Sequence, residues 1–131
     1  MKIRHDYVTN SSSSSFIIAR HKKCTIDEIK AMLYGFKPQI KRIIRECEGD
    51  FDSDYAEEIQ TAYNNDDLDE AARLAIDEIA SDLMWTDGLT LDDWEVGSAY
   101  ASNEADSLLA CVLYECGWKM DAEYLKLIQG E

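Results

Sequence analysis

The sequence predicts an α+β fold in a single domain that spans residues 1–131. The chain has 131 residues, of which 46% are hydrophobic, enough for one compact core. Apolar residues recur at three- and four-residue steps through most of the chain, as in amphipathic helices. Short apolar runs near both ends indicate strands. We therefore expect an N-terminal strand pair and several helices, followed by a strand, a helix and a last strand, with four short strands or fewer in one sheet.

Two strands are predicted before the first helix. In residues 2–8, Ile3 and Tyr7 lie on one side of an extended segment and polar residues on the other. Residues 16–19 form a short apolar run between polar flanks, which indicates a buried strand. The serines at 11–15 favour a turn or loop, because such side chains satisfy nearby backbone groups. The three segments are interpreted as a β-hairpin or a wider connection.

Capping signals and apolar spacing predict the first three helices. Thr25 and Glu28 form a capping box, in which Thr25 caps the backbone and Glu28 reaches back from the third helical position. A second helix begins at Lys37-Pro38, since proline is favoured in the first turn. Its inward side chains are Ile40, Ile43 and Ile44. A third, short helix is predicted over residues 54–63.

The clearest helix covers residues 67–84 and is capped by Asp66 or Asp67. The side chains that we expect it to bury together are Leu68, Ala72, Ile76, Ile79 and Leu83. Residues 89–100 are predicted to be extended, with a bulge or turn at 92–93, where the alternation of apolar side chains slips.

The rest of the chain predicts one more helix and one more strand. The helix opens at residues 103–106 and ends at Gly117, a natural residue to follow a helix C-terminus. Residues 124–128 form the last strand.

The four cysteines are expected to be free thiols in a reducing cytoplasm. No apolar run approaches the roughly 20 residues that span a bilayer, and the start of the chain lacks the apolar region of a secretory signal. Cys24, Cys47, Cys111 and Cys116 are therefore expected to act as small hydrophobes. The alternative is a zinc site, but His21 and Cys24 supply only one half of a ligand set.

The charge of the chain is strongly negative and unevenly distributed. Thirteen Lys and Arg against 27 Asp and Glu give a net charge of −14. This balance argues against a general binder of nucleic acid or anionic membranes, because both functions need a cationic surface. Residues 1–45 sum to +7 and residues 46–106 to −19, and the remaining residues add −2. The middle of the chain is thus the acidic part.

Carboxylates at helical spacing predict a negative surface for a basic partner. The predicted partner-binding residues on the 67–84 helix and at its start are Asp66, Asp69, Glu70, Asp77 and Glu78. A predicted extension comprises Asp92, Asp93 and Glu95. The alternative is a solvated face that is balanced internally by the basic helix with Lys41, Arg42 and Arg45.

No catalytic or cofactor signature is recognisable in the sequence. The chain has two histidines, and neither lies in a nucleophile motif; its glycines are isolated, without a phosphate-binding loop. We therefore expect a non-enzymatic protein without a cofactor. The three tryptophans are expected in the core, because no basic groove accompanies them as in a base-stacking surface.

Asp50, Asp52 and Asp54 resemble the opening of an EF-hand loop. The match then fails, since Tyr55 stands where glycine makes the sharp turn and Thr61 where a bidentate glutamate is needed. We expect the three aspartates to cap the next helix and complement its dipole. A weak surface cation site is the alternative.

The N-terminal string KIRHDYVTNSSSSSF, residues 2–16, resembles a signature of small phage and mobile-element proteins. Its recurrent form is basic residues, an aromatic residue, and then Ser/Thr, Asn, five serines and Phe. The resemblance implies a phage or prophage origin rather than an activity. The serines are expected to form a solvated loop. The alternative is an anion-binding loop near Arg4, Arg20 and Lys22.

A small, acidic, non-enzymatic phage protein is expected to act by binding in the cytoplasm of the host cell. Our interpretation is an inhibitor of a host nucleic-acid-handling defence complex, by analogy with anti-CRISPR proteins. Its acidic middle would bind the basic surface of a host protein or nucleoprotein complex and compete with nucleic acid there, without binding nucleic acid or membranes itself. The alternative is a structural or regulatory phage protein that self-associates or docks on another protein.

Overall fold

The structure, a computed structural model, describes residues 13–85, 88–102 and 106–129, and these confirm the α+β fold class. The helices are α1 (Ile26–Tyr34), α2 (Lys37–Glu46), α3 (Ala56–Asn64), α4 (Leu68–Met84) and α5 (Leu108–Cys116), followed by a 3₁₀ turn at Gly117–Lys119. The strands are β1 (Ser13–His21), β2 (Gly88–Leu91), β3 (Trp94–Ser102), β4 (Asp121–Ala122) and β5 (Leu125–Gln129). The predicted strand at residues 2–8 lies outside the described residues.

The five strands form one antiparallel sheet in the order β2-β3-β1-β5-β4. The prediction of four strands or fewer is therefore wrong. Residues 89–100 contribute to two strands, β2 and β3, and the prediction missed β4, which has two residues and is too short to show alternation. β1 lies in the centre and includes residues 16–19, as predicted. It pairs with β3 along its whole length and with β5 from Phe16 to Arg20. β3 and β5 thus occupy both edges of β1 between Phe16 and Arg20.

The second half of the serine run is a strand and not a loop. Ser13, Ser14 and Ser15 pair with Ser102, Ala101 and Tyr100 of β3. Strand pairing with β3 supplies partners for the backbone groups of these residues. A strand rises about 3.3 Å per residue, which places Ser15 more than about 15 Å along β1 from Arg20. The structure thus separates these serines from Arg20 and Lys22, contrary to the predicted anion-binding loop.

The core lies between the inner face of the sheet and the helices. Ala72, Ile76, Ile79 and Leu83 of α4 are completely buried, as predicted, and Leu68 packs against the core while partly exposed. The side chains of α2 at Ile40, Ile43 and Ile44 are also buried. The four cysteines all lie within the described residues, form no disulfide bond and are buried among these apolar groups. In the part of the chain that the structure describes, no helix has the length and apolarity that crossing a bilayer requires.

The capping box at α1 is half confirmed. The Thr25 hydroxyl accepts a hydrogen bond from the backbone N–H of Glu28 over 3.1 Å. The Glu28 carboxylate, however, does not reach back; it accepts the backbone N–H of Tyr124 over 2.8 Å. It thereby connects the start of α1 to the chain just before β5. A contact between residues so far apart in sequence is not visible in a local motif.

Two helix ends differ from the predictions. The N-cap of α5 is Ser107, whose hydroxyl accepts from the backbone N–H of Ala110, and not a residue of 103–106. Gly117 has φ −58° and continues into the 3₁₀ turn, so the helix does not end in the left-handed conformation expected of this glycine. α4 begins as predicted, because the Asp67 carboxylate accepts from the N–H of Glu70 over 3.2 Å.

Two of the three tryptophans lie on the surface. Trp85 is 73% exposed and Trp118 is 60% exposed, whereas Trp94 is half-buried. The expectation of core tryptophans is therefore wrong for Trp85 and Trp118. Each follows the end of a helix, α4 and α5 respectively, where the periodicity of the buried face has stopped.

The outer face of the sheet is partly apolar. The helices pack on the inner face, where Phe16 and Ile18 are buried. Large apolar side chains on the outer face remain 44–73% exposed; they are Ile17, Leu89, Leu91, Tyr100 and Ile128. An apolar surface distributed over four strands of one sheet is typical of a contact face for another molecule.

Candidate functional site

The acidic face predicted on α4 is largely ion-paired within the chain. Asp69 accepts hydrogen bonds from Lys41 and lies 3.5 Å from Lys37, both on α2. The bond from Lys41 and the charges of both lysines hold the pKa of the Asp69 carboxyl below its usual range. Asp77 lies 3.2 Å from Lys30 of α1. Of the basic residues in the predicted alternative, Lys41 thus balances Asp69, whereas Arg42 pairs with Glu46 and Glu115 instead.

Two further residues of that predicted face also have partners inside the chain. Glu70 binds the Arg73 guanidinium through both oxygens, at 2.9 and 2.7 Å. Glu78 is only 7% exposed, and its carboxylate accepts the backbone N–H of Tyr55 over 3.0 Å. Glu78 therefore lies away from the exposed face that was predicted for it. Helical spacing alone could not show that α3 packs over this position.

The hairpin carboxylates lie at the other end of α4, near the turn that joins β2 and β3. Asp93 pairs with Lys22 at 3.1 Å, and Glu95 pairs with Arg20 at 2.5 Å. Asp92 occupies the turn with φ 56° and is exposed. They do not extend the α4 carboxylates into one surface, because β1 and its own cations lie beside them.

A second acidic surface lies on α3 and the segments flanking it, and it retains a net negative charge. Residues 48–67 contain eight carboxylates and no Lys or Arg. Glu57, Glu58 and Asp66 are exposed, and among the described residues none of the three forms an ion pair. Of the predicted partner-binding residues, Asp66 belongs to this surface. Sequence reasoning missed Glu57 and Glu58; the absence of any base over residues 48–67 is the signal that could have found them.

A cleft of about 440 Å³ opens between α3 and α4 beside these carboxylates. We call it the α3–α4 cleft; its lining residues are Glu57, Glu58, Thr61, Ala62, Asn65, Asp67, Glu70 and Leu74. Ala62 and Leu74 contribute apolar side chains to it, and its polar groups are carboxylates, the Thr61 hydroxyl and the Asn65 amide. Such a cleft can accept hydrogen bonds from a lysine or arginine and cover the aliphatic stem of that side chain.

The start of α3 brings three carboxylates together. Burial, reinforced by the neighbouring charges of Glu78 and Asp54, raises the pKa of Asp82 to about 6. The prediction that Asp50, Asp52 and Asp54 cap α3 is wrong: the N-cap is Tyr55, and its backbone N–H donates to the Glu78 carboxylate. Among the residues that the structure describes, no group of His, Cys, Asp and Glu has the arrangement of a metal site.

Replacing Asp82 by Asn is expected to stabilise the protein at neutral pH. The raised pKa means that the folded state loses stability as the pH rises from about 4 to about 6, where Asp82 ionises beside Glu78 and Asp54. Asp82→Asn removes that repulsion, with a gain below about 1 kcal/mol because the side chain is partly exposed and water screens it. Urea unfolding at pH 7.5 and pH 4 measures the gain, which should disappear at the lower pH. An equal gain at both pH values would contradict the assignment.

The chain resembles no known protein closely enough to assign a function. No protein-family model matches it, and neither the curated proteins nor the solved structures include a significant match. The function is therefore inferred from the geometry and charge of this chain and from its N-terminal string.

Proposed function

We propose that the protein is a non-enzymatic acidic binding protein whose α3–α4 cleft docks on the basic surface of a partner. The observation that supports this proposal is the exposed pair Glu57 and Glu58, which no cation neutralises among the described residues, although lysines and arginines pair with Asp69, Glu70 and Asp77 nearby. Uncompensated carboxylates on one surface attract a cationic partner and accelerate its association.

The partner in this proposal is a nucleic-acid-handling defence complex of a phage host. The acidic surface beside the α3–α4 cleft binds in the cationic channel of that complex. The N-terminal resemblance to phage proteins supports this finer part of the proposal. Proteins that hold nucleic acid present lysine and arginine to phosphates, and an acidic surface can compete for the same cations. Carboxylates at helical spacing only approximate the spacing of phosphates, so the mechanism is competition for charge.

Competition with nucleic acid tests the proposed function. The immobilised protein is used to capture a partner from a nuclease-treated host lysate, and the purified partner is then titrated with its nucleic acid in the presence of the protein. We expect wild type to displace the nucleic acid, and less so as salt rises from about 0.05 to about 0.5 M. The variant Glu57→Gln/Glu58→Gln should displace less at low salt. Displacement by that variant equal to wild type would overturn the proposal.

Self-association through the outer face of the sheet is a second candidate function. The exposed side chains Ile17, Tyr100 and Ile128 favour it. Lys126, on the same face, pairs with Asp121 at 2.8 Å. Two copies can therefore meet here without repulsion between their Lys126 side chains. Such a contact is apolar and should persist in high salt, whereas docking by the α3–α4 cleft should weaken. Sedimentation of the protein alone at both salt concentrations distinguishes the two candidates.

A further inference from the structure

A second concave site lies at the end of the sheet, away from the α3–α4 cleft. Its volume is about 380 Å³. Met84 and Trp85 line it from the C-terminal end of α4, Asp92 and Trp94 from the β2–β3 turn, and Arg20 from the end of β1. We call it the tryptophan cavity. A concave, mostly apolar cavity with a few polar groups has the general character of a ligand site.

The cations of the tryptophan cavity are already neutralised. Arg20 is largely buried, pairs with Glu95 and donates to the carbonyl of Leu83 over 3.2 Å. Lys22 pairs with Asp93 at 3.1 Å. An incoming anion would have to compete with these carboxylates, so the cavity is a poor anion site.

The remaining groups of the tryptophan cavity suit a cation. Asp92 is exposed and forms no ion pair with the residues that the structure describes. Trp85 presents most of its surface to solvent, and Trp94 is held by His21, whose ring centroid lies 5.0 Å away at an interplanar angle of 84°. Indole rings attract cations over their faces, and a planar guanidinium stacks on them better than an ammonium.

We propose that the tryptophan cavity binds a guanidinium group, of the kind that an arginine side chain presents. The guanidinium stacks on the tryptophans and donates to the Asp92 carboxylate, which leaves the Arg20–Glu95 and Lys22–Asp93 pairs intact. This assignment rests on the proposed function in one respect, because a basic partner is the source of the arginine. Guanidinium binding itself requires only the free protein.

N-acetyl-arginine amide is the probe for this site, and the indole N–H signals of the tryptophans report its binding by NMR. We expect saturable shifts for Trp85 and Trp94, whereas Trp118, outside the cavity, should not shift. N-acetyl-lysine amide at the same ionic strength should bind more weakly. Equal shifts of all three signals would overturn the proposal.

Two matched pairs of variants test the contacts. Trp85→Ala should weaken binding of N-acetyl-arginine amide by about two- to fivefold or more, and Trp118→Ala, which removes another exposed tryptophan, should leave it unchanged. Asp92→Asn should weaken it similarly, and Asp27→Asn, an exposed carboxylate on α1, should not. Binding that is insensitive to both Trp85→Ala and Asp92→Asn would overturn the site while leaving the function of the α3–α4 cleft untouched.

Discussion

Replacing Ile76 by Ala is expected to lower the free energy of unfolding by about 2–5 kcal/mol. Ile76 is completely buried in the middle of α4, the helix against which α1, α2 and α3 pack. The truncation removes apolar contacts and leaves a cavity that the surrounding helices cannot fill by moving independently. Urea unfolding monitored by circular dichroism measures the loss.

Leu89→Ala is the control for this prediction. Leu89 is 73% exposed on β2, so its truncation should change the free energy of unfolding by about 0.5 kcal/mol or less. If Ile76→Ala were as mild as Leu89→Ala, the orientation of α4 in the core would be wrong.

Removing three charges from the acidic surface around α3 is expected to weaken binding of the captured basic partner by about tenfold or more at low salt. The variant combines Glu57→Gln, Glu58→Gln and Asp66→Asn. Stability should change little, because the three side chains are exposed and asparagine tolerates the left-handed φ of 62° at position 66.

The salt dependence of the same variant tests whether the removed charges take part in binding. Its affinity should fall less steeply with salt than that of wild type, since fewer charges take part in the encounter. Calorimetric titration at about 0.05 and about 0.3 M salt measures both quantities. Unchanged affinity at low salt would mean that the α3 surface is merely solvated.

The sequence predicted the parts of the fold that local patterns determine. The apolar spacing of Ala72, Ile76 and Ile79 placed α4 correctly, and the run at residues 16–19 located the central strand. Two of the errors concern contacts between distant residues. Glu28 binds the backbone before β5, and β4 forms because β5 pairs with it. Neither interaction leaves a periodic signal in the chain.

The sequence predicted that the candidate site is acidic, but it placed the site on α4 and not around α3. The excess of carboxylates over residues 46–106 is evident from composition, and helical spacing then selected α4. Which carboxylates remain uncompensated depends on helix packing, because α1 and α2 bring Lys30 and Lys41 to Asp77 and Asp69. The local charge of residues 48–67, with no base among them, is the better indicator. The tryptophan cavity needed the tertiary structure, since it joins β1, α4 and the β2–β3 turn.

The central claim is that the uncompensated carboxylates around α3, and not net charge, bind the basic partner. A second triple variant, Asp69→Asn, Asp77→Asn and Glu46→Gln, removes the same number of charges from ion-paired carboxylates of α4 and α2 that do not line the α3–α4 cleft. It is the matched control and is called the α4 variant. The decisive measurement is the association rate of both triple variants with the captured partner at about 0.05 M salt, where screening is weak. We predict that the α3 variant associates about tenfold more slowly than wild type and that the α4 variant is slowed far less. Equal rates for the two variants, or a slower α4 variant, would contradict the claim.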